Sequence, residues 1–178
     1  IMHTDFILFD TKNNLSGSIK YKNVKISSLK NLNKNEIVII EGNTINRDII
    51  ENKNVDILLS PEKNIKNDSM HHRNSGLNKV ICNLARKNNI AIGLSFSELL
   101  NSNEKPILLG RMMQNVRLCR KFKVKMVLAS FARNEYDLRS IDLLKAFALV
   151  VGMTPLEINK AFAHSNYLTK TTNNKVYK

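Results

Sequence analysis

The chain has 178 residues, 43% of them hydrophobic, which is enough for one domain with a substantial core and too few for two. Its 28 Lys and Arg residues outnumber 15 Asp and Glu, and the resulting net charge of +13 favours a polyanionic partner. Residues 1–70 carry a net charge of +1, whereas residues 71–178 carry +12. The alternatives are a surface charged for solubility and a genome that favours Lys and Asn.

The sequence argues against a membrane or secreted protein. No long apolar run and no strongly amphipathic basic terminal helix indicates a membrane partner. The first ten residues lack the basic and apolar regions of a signal peptide. Cys82 and Cys119 are far apart and fall in predicted helices, as small buried thiols do in a reducing compartment. We therefore expect a cytoplasmic protein.

Short runs rich in β-branched residues predict five strands and a weak edge strand. The runs are nearly continuous rather than alternating, which is typical of parallel strands buried on both faces. The predicted strands are Phe6–Phe9, Ile37–Glu41, Val55–Leu59, Ile90–Leu94 and Val124–Ser130, with Val24–Ile26 at the edge.

Four helices are predicted between and after these strands. Two amphipathic segments are Leu77–Asn88 and Leu108–Phe122. A third helix covers Ser140–Val151, with Ser140 as its N-cap, and a fourth starts at Pro155. The alternation predicts an α/β fold of βαβ units, and the strand spacing suits a barrel and a doubly wound sheet alike. We expect one domain over 1–163 and a polar, flexible tail over 164–178.

The polar segment D-S-M-H-H-R-N-S-G-L-N (68–78) follows a predicted strand and opens a helix. Parallel α/β proteins bind ligands at this edge of the sheet, and a helix N-terminus there can accept a phosphate. Ser75 or Asn74 is suited to cap the helix; the alternative is an ordinary capping loop without a ligand. The candidate residues of this loop are His71, His72, Arg73, Asn74, Ser75 and Asn78.

Helical phasing of the segment from Leu108 places Arg111, Gln114, Arg117 and Lys121 opposite its apolar stripe. Such cations can contact successive phosphates, and the alternative is an exposed helix face without a partner. Arg120 lies near the apolar stripe, so we expect it to pair with an acid or a carbonyl. The candidate RNA-binding residues are Arg73, Lys79, Arg86, Lys87, Arg111, Arg117, Lys121, Arg133 and Arg139.

Two aromatic residues near this basic segment, Phe131 and Tyr136, could stack on an unpaired base. With 6% aromatic residues, however, the chain lacks the interleaved aromatics of a dedicated single-strand binder. The shape and backbone of a folded RNA are therefore the better candidates for recognition.

Signatures of catalysis are absent from the sequence. It has no G-x-S-x-G, P-loop or G-x-G-x-x-G motif, four histidines in all, and no H-x-H pair near its start. We predict no catalytic residue and no metal site. The alternative is a metal-dependent phosphoesterase that uses His3, Asp5, His71 and His72.

Four segments resemble the barrel-type protein subunit of ribonuclease P, which is protein component 3 of the archaeal enzyme and the thirty-kilodalton subunit of the eukaryotic one. The resemblance covers roughly Ile37 to Phe162. The segments are N-V-D-I-L-L-S-P-E (54–62), H-R-N-S-G-L-N (72–78), N-V-R-L-C-R-K-F-K-V (115–124) and A-S-F-A (129–132).

The resemblance implies a TIM-barrel-like parallel α/β barrel, here with fewer than eight regular βα units, and without the metal site of the related phosphoesterases. It implies a non-catalytic subunit that binds no cofactor, since the catalytic RNA removes the 5′ leader of precursor tRNA with its own magnesium. The implied partners are this RNA, precursor tRNA indirectly, and protein component 2 in a heterotetramer. Besides the phosphoesterase, a scaffold that binds only proteins stays open as an alternative.

Overall fold

The computed structural model describes residues 3–10, 19–33, 35–63, 65, 68 and 73–176, with side chains as far as residue 171. Over these residues all regular strands pair in parallel, in one two-stranded and one four-stranded sheet of order β1-β2 and β3-β4-β5-β6. The strands are β1 (His3–Ile7), β2 (Ile19–Asn23), β3 (Ile39–Glu41), β4 (Ile57–Leu59), β5 (Ala91–Ser95) and β6 (Met126–Ala129).

All five main strand predictions are confirmed, although the strands are shorter or shifted. Strands β4, β5 and β6 are buried at every position, as expected of strands covered on both faces. Strand β2 was missed because its sequence, I-K-Y-K-N, leaves its residues exposed or half-buried and carries no apolar run. The predicted edge strand Val24–Ile26 follows β2, and only Ile26 forms a bridge, to Ile39.

The two sheets touch at both of their edges. Ile7 at the end of β1 bridges Ala132, which follows β6, and the Leu8 amide donates to the Ala132 carbonyl at 2.8 Å. On the other side, the Ser27 amide donates to the carbonyl of Ile39 in β3 at 2.7 Å. Residues at or next to the ends of β1 and β2 therefore contact both sides of the larger sheet.

All four predicted helices are present, and two short helices were missed because six residues are too few to show a helical period. A 3-10 turn also covers Glu135–Asp137. Within the described residues, no helix is long and apolar enough to cross a membrane. The helices are α1 (Asn46–Glu51), α2 (Lys79–Lys87), α3 (Phe96–Asn101), α4 (Lys105–Phe122), α5 (Ile141–Val150) and α6 (Pro155–Val176).

Side-chain caps start the later helices where the sequence predicts. The Ser140 hydroxyl accepts a hydrogen bond from the Leu143 amide at 3.3 Å, which confirms Ser140 as the N-cap of α5. Before α6, the Thr154 amide donates to Glu157 at 2.8 Å and the Glu157 amide donates to the Thr154 hydroxyl at 3.3 Å. This reciprocal capping box fixes the start of α6 next to Pro155.

Two apolar cores lie on opposite faces of the sheet. The larger one packs the helices against one face, with Met112 and Val116 of α4 and Phe147 of α5 among its buried members. The smaller core lies on the other face and includes Phe6 of β1 and Phe131 after β6. Phe131 is thus buried rather than free to stack on a base, whereas Tyr136 is 90% exposed.

The segment that we expected to be a polar tail continues α6 as a helix to Val176. Its buried residues recur at helical spacing through Ile158, Phe162, Ser165 and Leu168, and Leu168 reaches the smaller core. The Asn166 side chain also accepts a hydrogen bond from the Thr4 amide at 2.9 Å. The domain therefore extends beyond residue 163, because sparse apolar positions at the right period suffice to pack a helix.

Candidate nucleic-acid interface

The loop that joins β4 to α2 crosses the carboxyl edge of the sheet. Asn78 is the N-cap of α2, since its side chain accepts from the Ile81 amide at 2.9 Å. The prediction that Ser75 or Asn74 caps the helix is therefore wrong, because α2 begins two residues later than expected. Asn74 is exposed and its amide donates to Asp68 at 2.9 Å, while Ser75 is buried. His71 and His72 lie outside the described residues.

A buried polar cluster ties this loop to α4. The Asn115 side chain donates to the Glu62 carboxylate at 2.9 Å and to the Ser75 carbonyl at 3.0 Å. Glu62 is 1% exposed, and burial raises the pKa of its carboxyl to about 7. The cluster fixes the path of the loop over α4, and the sequence gives no sign of it beyond the polar residues at the strand end.

Glycine allows the loop to approach the segment after β4. Gly76 has φ of +77°, and a Cβ there would lie 1.9 Å from the Pro61 carbonyl oxygen. The Asn46 side chain joins the same segments, donating to the carbonyls of Pro61 at 2.8 Å and of Gly76 at 3.1 Å. The backbone beside the α2 N-terminus is therefore held by fixed contacts.

The prediction that Arg111 lies on an exposed face is wrong. Its side chain is 8% exposed, and its guanidinium donates to Asp68 and to the Ile65 carbonyl, each at 2.8 Å. The β4–α2 loop covers this face of α4, so the helix is buried on two sides rather than one. Gln114 lies under the same loop and donates to the Arg73 carbonyl at 2.9 Å.

Arg73 is exposed, and its guanidinium rests on α4 at Gly110. A Cβ at Gly110 would lie 1.4 Å from Nη1 of Arg73, so only glycine leaves room for this position of the side chain. A cleft of about 810 Å³ opens beside it, lined by Arg47 and Arg73 and by residues around the α2 N-terminus. Arg47 pairs with Glu51 at 2.9 Å, whereas Arg73 lies beside the α2 N-terminus, the end of a helix that favours an anion.

Five further candidate cations are exposed on α2 and α4, and we call them the basic surface. Because α2 packs against α4, their exposed faces are neighbours. Neither helix contains an Asp or a Glu, so no acid of these helices offsets the charge. The basic surface consists of Lys79, Arg86 and Lys87 of α2 and of Arg117 and Lys121 of α4.

Arg120 behaves as predicted and does not belong to the basic surface. Its guanidinium donates to both carboxylate oxygens of Glu157 at 2.7 Å and to the Gly152 carbonyl at 2.6 Å. This bidentate pair lowers the pKa of Glu157 to about 2 and links the end of α4 to the start of α6.

The last two candidate cations are engaged within the protein. Arg133 contacts Glu41 at 2.8 Å and Glu98 at 3.4 Å, and Lys63 bridges the same two acids at 2.7 and 3.1 Å. Arg139 donates to two backbone carbonyls, at 2.7 Å each, and lies 5.3 Å from the ring of Phe96. The sequence did not reveal this network, because its members come from four separate segments.

The polar residues of the phosphoesterase alternative do not converge within the described part of the chain. Asp5 accepts from the Ser130 amide at 2.7 Å and from its hydroxyl at 2.6 Å, and burial raises the pKa of Asp5 to about 6. The ring of His3 instead packs on Phe162 at 4.8 Å. Among the described residues, no group of three or more His, Cys, Asp or Glu side chains could hold a metal ion.

These features define a parallel α/β protein with a basic helical surface beside the carboxyl edge of its sheet. The model of the RNase P subunit p30 family matches residues 12–174, and the chain belongs to this family. The matched range also includes residues 12–36, which the resemblance found in the sequence does not cover.

Curated relatives agree with this membership. Ribonuclease P protein component 3 of Methanosarcina mazei is 36% identical over 122 residues, which are 66% of this chain and 48% of the relative. The protein of the same name from Methanosarcina acetivorans is 35% identical over 135 residues, which are 74% of this chain and 53% of the relative. The chain thus aligns with about half the length of the curated relatives it matches.

A solved structure shows the same fold. A chain in the cryo-EM structure of archaeal ribonuclease P with mature tRNA superposes with a TM-score of 0.74 and 24% identity, covering 98% of this chain and 83% of that chain. The parallel α/β architecture is therefore that of a chain in a ribonuclease P particle.

Proposed function

We propose that the protein is a non-catalytic, RNA-binding subunit of ribonuclease P that supports removal of the 5′ leader from precursor tRNA by the catalytic RNA. Membership in the p30 family and the names of its relatives support the particle. The basic surface is the observation that supports RNA binding. Its cations lie on two adjacent helices, and neither helix contains an acidic residue. The protein needs no cofactor in this role, because the magnesium belongs to the RNA.

Salt dependence of binding tests the basic surface. Each phosphate contact contributes about −0.9 to the slope of log K against log salt, so the triple variant Lys87→Glu/Arg117→Glu/Lys121→Glu flattens the slope by about 3. Between 50 and 200 mM salt, the wild type then loses roughly 40-fold more affinity for the catalytic RNA than the variant does.

A matched control places the same charge change in the N-terminal third, as Lys20→Glu/Lys25→Glu/Lys30→Glu. All three lysines are exposed and lie outside the basic surface. The control should keep more of the wild-type slope than the triple variant keeps. Equal slopes for the two variants, or equal support of precursor-tRNA cleavage at low magnesium, would show that the basic surface is not where the RNA binds.

We further propose a protein partner, ribonuclease P protein component 2, in a heterotetramer, as the family resemblance implies. Support comes from α5, whose exposed face carries large apolar side chains beside the Lys145–Asp142 ion pair. Leu149 and Val150 of α5 and Leu156 of α6 are each more than half exposed. Leu149→Asp/Leu156→Asp should abolish co-elution with component 2 on size exclusion, whereas Val80→Asp on α2 should not. Unchanged co-elution of the double variant would place the partner elsewhere.

We also propose that the six strands close into one small parallel barrel. The contacts of β1 with the segment after β6, and of the segment after β2 with β3, support closure at both sides. The smaller core supports it as well, because its residues come from β1, β3, β4, β5 and β6. Slow hydrogen exchange of the Leu8 amide, which donates to Ala132, is expected; rapid exchange would contradict closure.

We propose a cytoplasmic location for this subunit. The two cysteines, Cys82 and Cys119, are free and buried, which suits a reducing compartment. Imaging of a tagged chain in an archaeal host tests the location, and exclusive recovery with the membrane fraction would contradict it.

A further inference from the structure

A groove of about 710 Å³ lies at the amino end of β6, away from the carboxyl edge that holds the β4–α2 loop. The end of α4 and the start of β6 form one wall, and the middle of α6 forms the other. Its volume is within the range of small-ligand sites. We call it the α4–α6 groove; the residues that matter are Lys123, Lys125, Lys160, His164 and Tyr167.

The charge of the groove favours an anion. Lys123 and Lys160 are exposed at its rim, and Lys125 donates to the side chain of Asn89 at 2.7 Å. Glu157 is the acid that lines the groove, and both of its oxygens accept from Arg120. No carboxylate of the groove lining is therefore available to neutralise the three lysines.

An aromatic face stands beside these lysines. The rings of His164 and Tyr167 stack, with centroids 5.9 Å apart and planes 13° from parallel, and Tyr167 is 56% exposed. Nε2 of His164 is buried and has no hydrogen-bond partner within the described structure. Burial and the neighbouring Lys125 lower the pKa of His164 to about 4, so its ring is neutral at physiological pH and can donate or accept one hydrogen bond.

We propose that the α4–α6 groove binds one unstacked nucleotide of RNA. The base stacks on Tyr167, and Lys123 and Lys160 contact the flanking phosphates. Single-stranded RNA is bound in this way elsewhere, by an aromatic platform beside cations. The inference rests on the proposed RNA-binding function and adds a second contact site, separate from the basic surface.

Two RNA probes separate the groove from the basic surface: a short single-stranded oligoadenylate and a blunt RNA duplex. Fluorescence anisotropy of the full chain with each probe gives the affinities. Loss of one stacked base corresponds to about a 5- to 150-fold weaker affinity, so Tyr167→Ala should weaken binding of the oligoadenylate by a factor in that range. Duplex binding should stay unchanged, because paired bases cannot enter the groove.

Matched variants on α6 serve as controls. Tyr167→Phe keeps the ring and should bind as the wild type does. Lys160→Ala should flatten the salt slope for the oligoadenylate by about 0.7, whereas Lys170→Ala, on the same helix and also exposed, should not. Far-ultraviolet circular dichroism of each variant checks that the fold is kept.

The outcomes separate the two proposals. If Tyr167→Ala binds the oligoadenylate as tightly as the wild type, or if Lys170→Ala is as impaired as Lys160→Ala, the groove is not a nucleotide site, while the basic surface is unaffected. Equal weakening of single-strand and duplex binding by Tyr167→Ala also overturns the groove. If the wild type binds neither these probes nor the catalytic RNA, the proposed RNA-binding function fails and the groove fails with it.

Discussion

Replacement of Glu62 by glutamine should stabilise the protein at alkaline pH. The carboxyl is buried, and desolvation raises its pKa from 4.5 to about 7 in the folded state. Because the folded protein holds this proton more tightly than the unfolded chain does, stability falls as the pH rises from about 4.5 to 7. Above pH 7 the loss of folding stability caused by the ionised carboxyl reaches about 3 kcal/mol, because a pKa difference of one corresponds to about 1.36 kcal/mol.

Glu62→Gln removes this cost, because its neutral amide oxygen can still accept from Asn115, as the carboxylate does at 2.9 Å. Urea denaturation at pH 4.5 and at pH 8 gives the free energies of unfolding. We expect nearly equal values for the variant and the wild type at pH 4.5, and a variant more stable by up to about 3 kcal/mol at pH 8.

The comparison with the wild type isolates Glu62 from Asp5, whose pKa is also raised, to about 6, and which is present in both proteins. Glu62→Ala is a second control: it removes one of the two acceptors of the Asn115 side chain and should destabilise the protein at pH 4.5, while its pH dependence up to pH 8 should match that of Glu62→Gln. A Glu62→Gln protein that is less stable than the wild type at pH 8 would refute the reasoning, since it would mean that the ionised carboxylate is stabilised in the fold.

Three further changes test other contacts. Arg120→Ala should lower the free energy of unfolding by about 1 kcal/mol in urea denaturation at pH 7, a modest loss because the Arg120–Glu157 pair is only partly shielded from solvent. The difference from the wild type should vanish as the pH falls towards about 2, the pKa of Glu157 in the folded protein. A pH-independent loss would contradict this. Gly110→Ala should raise thermal stability by up to about 1 kcal/mol, because alanine favours the helix and the Arg73 side chain can move out of the way. Displacement of Arg73 should weaken RNA binding, and an unchanged affinity would count against a role of Arg73. Ser140→Ala should cost about 1 kcal/mol at all pH values in the same assay, whereas Ser140→Asp should be neutral.

Local patterns were enough to predict much of the fold. Continuous β-branched runs predicted the parallel strands, because strands buried on both faces have no polar side to show. The caps at Ser140 and Pro155 were predictable because they depend on a few neighbouring residues. Strand β2 was not, since half-buried strands with Lys at alternate positions resemble loops.

The candidate site was predicted only in part. The excess of cations in α2 and α4 is visible in the sequence, and the basic surface follows from it. Helical phasing shows which face of α4 is apolar, yet it cannot show what covers the opposite face. The β4–α2 loop covers Arg111 there, and a loop has no period from which its path could be inferred.

The sequence by itself determined the parallel α/β class, the uneven charge and the family, since composition, periodicity and motifs are properties of short stretches of chain. Only the tertiary structure decided which acids Arg111, Arg120 and Arg133 pair with, because those acids are distant in sequence. It also decided that α6 packs along β1 and β6 and forms one wall of the α4–α6 groove. Contacts between distant segments depend on how the elements pack, and no local pattern encodes that packing.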